Sequence, residues 1–82
     1  MIDEFRQDLQ KCVIFFRQGA QSEALQAYFQ LTDELPTVLS MLGGEEQVVM
    51  RGVIQQLLLA QQKQDWVQVA DLLWFELKPV FE

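Results

Sequence analysis

Apolar residues recur along this chain at spacings of three and four, and the every-second-residue alternation of a half-buried strand is missing. The pattern predicts four helices. The first spans about Asp3 to Gln18, with Asp3 as an N-cap. Ile2, Phe5, Leu9, Cys12, Val13 and Phe16 line one face, and Gly19, which tolerates positive φ, ends it. The second spans about Ser22 to Leu42, capped by Ser22, with Glu23 well placed near the positive end of the helix dipole. Leu25, Tyr28, Leu31, Leu35, Val38, Leu39 and Leu42 form its stripe. Pro36 lies inside that stripe. Proline removes one hydrogen bond and clashes with the preceding turn at a cost of about 3 kcal/mol. The stripe keeps its phase across Pro36, so a kinked helix is expected instead of two separate ones.

Gly43 and Gly44 make the clearest break. A third helix is expected from about Glu45 to Gln62, with Glu45 and Glu46 suited to its first turn. Val49, Met50, Val53, Ile54, Leu57 and Ala60 should face inward, while Val48, Gly52 and Leu59 lie on another side. A fourth begins at Asp65, an N-cap, and ends near Lys78, because Pro79 disfavours helix at the residue before it. The connections are short, so successive helices should run antiparallel. The expected fold is all-α: one domain over residues 1–82, a compact antiparallel four-helix bundle made of two helical hairpins, with the second helix kinked at Pro36. An offset of 42 residues overlays Phe15–Leu39 on Leu57–Phe81. Duplication of a hairpin and ordinary helical periodicity both account for it.

The fourth helix has more apolar residues than one face can hold. Trp66, Val69, Ala70, Leu73, Trp74, Leu77 and Val80 share a broad face, and Leu72 and Phe75 fall outside it, among Gln68, Asp71 and Glu76. Phe15 and Ile14 stand off the stripe of the first helix, and Phe29 off that of the second. Each apolar side chain that becomes fully buried contributes roughly 1.5–3 kcal/mol, so Leu72, Phe75, Phe15 and Phe29 are the expected partner-binding residues. Helices that touch neighbours on both flanks would bury the same residues with no partner. For Trp66 and Trp74, core packing is the simpler expectation.

Composition narrows the chemistry. With 82 residues the core is thin, and Cys12 is the only cysteine, so disulfides do not reinforce it. One cysteine and no signal-like start point to a reducing cytosol. Apolar runs such as Val13–Phe16 and Leu72–Phe75 are four residues long, whereas a membrane span needs about 20. Twelve Asp and Glu against six Lys and Arg argue against nucleic acid and anionic membranes. The 13 glutamines are spread among apolar positions as uncharged helix-surface residues.

Histidine, the commonest general base and metal ligand, is absent. Cys12 falls on a core stripe and reads as a buried structural thiol. The carboxylate pairs Asp33–Glu34 and Glu45–Glu46 are adjacent in sequence, so on a helix they point in different directions. Asp71 shares a side of its helix with Lys78 and reads as a rim residue. Gly43-Gly44 has neither the preceding strand nor the Lys-Ser or Lys-Thr of a phosphate loop. No catalytic, cofactor or metal site is expected.

The closing stretch reads Asp65-Trp66, Ala70-Asp71-Leu72-Leu73 and Glu76-Leu77-Lys78-Pro79. It resembles the C-terminal segment of a group of small uncharacterised bacterial all-helical proteins. That resemblance covers about fifteen residues and implies a bacterial cytosolic helical bundle with no assigned activity. In size, acidity and helical content the chain also looks like flagellar and type III export chaperones, a likeness of type without a shared motif.

The residues therefore lead to a non-enzymatic interaction module: an acidic helical adaptor or chaperone-like protein. It would form a homodimer or bind a partner helix through its last helix. The alternative is a bundle holding a small apolar ligand among Trp66, Trp74, Tyr28 and Cys12.

Overall fold

The first helix, α1, runs Ile2–Arg17, and its apolar positions at three- and four-residue spacing bury Phe5, Leu9, Cys12 and Val13. The structure, a computed structural model, describes residues 2–81. Gly19 ends α1 as the sequence predicts. It takes φ 74°, while the Gly19 N–H donates to Phe16 and the Ala20 N–H to Phe15. That pair of bonds satisfies carbonyls the helix end would otherwise leave open.

Helix α2 spans Gln21–Leu39 and passes through Pro36 as one helix. It starts two residues earlier than a Ser22 cap would place it, with Ala20 at the cap position and no side chain capping it. Ser22 therefore lies in the first turn. Ala24 rather than Leu25 is buried at this end. Beyond Leu39 the chain continues in looser turns, and the amide of Gln47 donates to the carbonyls of Leu39 and Leu42 at 2.9 and 3.1 Å.

Helix α3, Gly44–Gln62, carries Glu45 and Glu46 in its first turn and buries Met50, Val53, Leu57 and Ala60. Val49, expected inside, is exposed: the buried arc of α3 is narrower than its apolar arc. Gln64 takes φ 55°, and the bonds from Gln64 to Gln61 and Asp65 to Ala60 repeat the closing pattern seen at Gly19.

Asp65 caps α4, Trp66–Leu72, by accepting from the Gln68 N–H at 3.2 Å. The chain then widens into a π-helical segment, Leu73–Leu77, and tightens into a 3₁₀ turn, Lys78–Phe81. Pro79 has no N–H to give the preceding turn, and the change of helix type falls just before it. Helical structure thus persists past Lys78, where the sequence places its end. Phe81 is buried with its ring 4.9 Å from Phe5, tying the last turn to α1.

All described residues in regular structure are helical. α1 packs on α2, α3 on α4, and the α4–π segment lies against both α1 and α3, whereas the backbones of α2 and α3 approach each other far less. One core cluster draws on all four helices. The Cα radius of gyration is 11.8 Å, close to the ~12 Å of a compact chain of this length.

Candidate interaction surface

The looser approach of α2 and α3 leaves a groove between them. Tyr28, Thr32, Leu35, Pro36 and Leu39 form one wall and Ile54, Leu57 and Leu58 the other, around about 280 Å³. Apart from the Tyr28 and Thr32 hydroxyls, the side chains are hydrocarbon. Ile54 and Leu58 are four residues apart and share a flank of α3, next to the buried Met50–Val53–Leu57 face.

Hydrogen bonds hold both ends of the groove. At one end the Tyr28 hydroxyl donates to Gln61 Oε1 across α2 and α3 at 2.9 Å. At the other, Gln47 binds the carbonyls of Leu39 and Leu42. Burial, and secondarily the neighbouring Cys12, raises the Tyr28 pKa, so the phenol stays a donor. Its ring lies edge-on to Trp66 and Phe29 at 6.0 and 5.5 Å. Pro36 cannot donate the bond that the Thr32 carbonyl would accept in an uninterrupted α-helix, and both residues line the groove.

Of the residues singled out by sequence, Phe29 is closest to this feature. It is 47 % exposed, seven residues before Pro36 and on the same side of α2. Phe75 is 63 % exposed on the π segment of the last helix. Phe15 is half-buried in a separate, more polar hollow with Asp8, Lys11, Glu23, Gln26, Ala27 and Gln30. Leu72 is a correction. It is only 8 % exposed and belongs to the core cluster. A segment that packs on two helices buries a wider arc than a one-sided wheel allows. The four residues do not form one patch. Sequence reasoning missed Leu58 (50 % exposed) and Ile54. The run Leu57-Leu58-Leu59 was the available signal, since three adjacent leucines cannot share one face.

Of the residues expected around a small ligand, Tyr28 lines the groove, whereas Trp66, Trp74 and Cys12 have other neighbours. Trp66 stacks on Phe16 at 6.1 Å, and Trp74 lies 4.8 Å from the Arg17 guanidinium carbon and 4.3 Å from Lys78 Nζ. The Cys12 thiol donates to the Ala24 carbonyl at 3.6 Å, and burial pushes its pKa up to about 12. It is therefore a protonated, inert thiol at neutral pH. Asp71 is exposed at the rim of a hollow between α1 and α4.

On the far side of α2 from the groove, Glu4, Asp33, Glu34 and Thr37 line an acidic hollow. Partial burial, then the charge of Asp8 and a hydrogen bond with it, then Glu4, raise the Glu34 pKa. A raised folded-state pKa means that the stabilising contribution is complete below the ordinary glutamate pKa and is lost as pH rises through the raised value. Glu34→Gln should therefore be more stable than the parent at pH 7, with the gap shrinking toward pH 4. Urea midpoints at the two pH values check this; a gap that is constant or widens on acidification contradicts it.

Among the described residues no helix is long and apolar enough to cross a membrane, and no three metal-ligating side chains converge. The geometry defines an all-helical protein with an apolar groove between α2 and α3. The chain belongs to the family described as Domain of unknown function (DUF8042), whose model matches residues 1–82. No curated protein and no solved structure matches it.

Proposed function

We propose that this chain is a non-enzymatic interaction module that receives an amphipathic helix from a partner protein in the α2–α3 groove. The carrying observation is the groove itself: an apolar channel held at both ends by Tyr28–Gln61 and Gln47–Leu39/Leu42, with exposed Phe29 and Leu58 beside it. Helices recognise such grooves through apolar anchors at i, i+4 and i+7. We read the helices as two antiparallel hairpins, α1–α2 and α3–α4, so that the groove is the seam between them. A bend in α2 at Pro36 would hold that seam open. Export chaperones, which the chain resembles in size and acidity, are adaptors of the same broad kind, and a cytosolic setting fits the reading.

The test uses a synthetic 16-residue helix with Leu at i, i+4 and i+7 and Gln on its other faces. Backbone NMR shifts should move at Thr32, Leu35, Leu39, Ile54 and Leu58, and Leu58→Glu should weaken binding about a hundredfold while leaving the helical CD signal intact. Shifts centred on Val67 and Phe75 would move the interface to the last helix. Sedimentation covers self-association: a parent dimer that Leu58→Glu dissociates would replace the partner reading with a homodimer.

A further inference from the structure

Resting on that reading, we infer that the partner helix is cationic along the edge that faces α2. Its occupancy is set first by the dimensions of the groove. From Tyr28 to Leu39 the groove runs eleven residues, about 17 Å at the α-helical rise, or three turns of a guest helix. A volume of about 280 Å³ is roughly twice the ~150 Å³ that holds one benzene-sized group. The guest therefore inserts two apolar side chains fully and rests a third on Phe29 or Leu58.

Charge decides what flanks those anchors. Asp33 follows Thr32 on α2 and lies between Phe29 and Thr37 on the helical wheel, just past the outer lip of the groove on the way to the back of the helix. It also lines the acidic hollow with Glu4 and Glu34, which Asp8 crowds further. The negative charge thus continues over the back of α2, and its reach at physiological salt is set by a Debye length of about 8–10 Å. On α3, the exposed Arg51 shares the outer flank of Leu58, two turns away along the helix. The two lips carry opposite charge. A guest with lysine or arginine on its α2 edge is attracted there, and Arg51 disfavours the reversed placement.

A second copy of this chain fits less well. The protein carries −6 overall. None of its helices has a net positive charge: α1 balances Asp3, Glu4 and Asp8 with Arg6, Lys11 and Arg17, and α2 has no basic residue. Two copies repel before they touch.

Two synthetic helices separate this inference from the reading beneath it. One is the Leu/Gln peptide described above. The other replaces three Gln on one edge with Lys. In fluorescence anisotropy at 20 mM salt, the Lys peptide should bind about tenfold tighter, and 500 mM salt should remove most of that advantage. Asp33→Asn with Glu34→Gln should erase the advantage while leaving the Leu/Gln peptide unaffected. This double variant relieves crowding among carboxylates and so keeps the fold. Equal binding of both peptides overturns the cationic partner and leaves the groove standing. Failure of both peptides overturns the groove. An advantage that survives the double variant places the cationic contact away from α2 and overturns the inference.

Discussion

Phe81→Ala is expected to destabilise the protein by about 3–5 kcal/mol, the usual cost of emptying a buried aromatic site. Phe81 closes the last helical segment, and the ends of helices commonly fray. Here, however, its ring is buried against Phe5, and the 3₁₀ turn Lys78–Phe81 continues the line of Val69, Leu73 and Leu77 at steps of four. An 82-residue domain has only about 4–12 kcal/mol of stability in total. The substitution should leave it near the threshold of unfolding at 37 °C. Phe75→Ala, six positions earlier and exposed, should change stability by under about 0.5 kcal/mol. Urea denaturation followed by tryptophan fluorescence compares the two. Similar midpoints for both variants would mean that the last turn is not part of the core.

Leu72→Glu should unfold the protein at neutral pH, whereas Phe75→Glu should not. Helical periodicity places both residues away from the main apolar face, so a surface interpretation gives them the same fate. Leu72 instead lies in the core cluster. A carboxylate there would lose its hydration with no cation within the cluster to replace it, a penalty of several kcal/mol in a real protein interior. Far-ultraviolet CD at 25 °C is the readout: strong helical signal for Phe75→Glu, and loss of signal or a sharply lowered melting temperature for Leu72→Glu. A well-folded Leu72→Glu would return Leu72 to the surface and restore the paired Leu72–Phe75 interface.

These cases show where sequence reading works and where it stops. The glycine stop at Gly19, the Asp65 cap, the buried Cys12 and continuation of α2 through Pro36 are local matters. Each depends on the φ a residue tolerates, on a carboxylate within reach of an N–H, or on the phase of one stripe, and each is legible a few residues at a time. The start of α2 at Gln21 also depends on a local contest, but one the Ser22 cap loses when the Gly19 turn runs straight into helix.

Leu72, Val49 and the groove could not be read that way. An apolar arc states how much surface a helix needs to bury but not how many neighbours it has. The last helical segment lies against two helices and buries Leu72. α3 meets α4 closely and α2 loosely, which leaves Ile54 half-buried and Leu58 half-exposed along a channel, while Val49 is exposed on the opposite flank of α3. The sequence by itself determined the helices, most of their ends and the residues of the core, because backbone preference and hydrophobic period act within one turn. Only the tertiary structure decided which surplus apolar residues remain exposed, because that depends on the spacing between helices far apart in sequence. It buried Leu72, left Phe75 exposed on the last segment, and placed Leu58 half-exposed along the channel between α2 and α3.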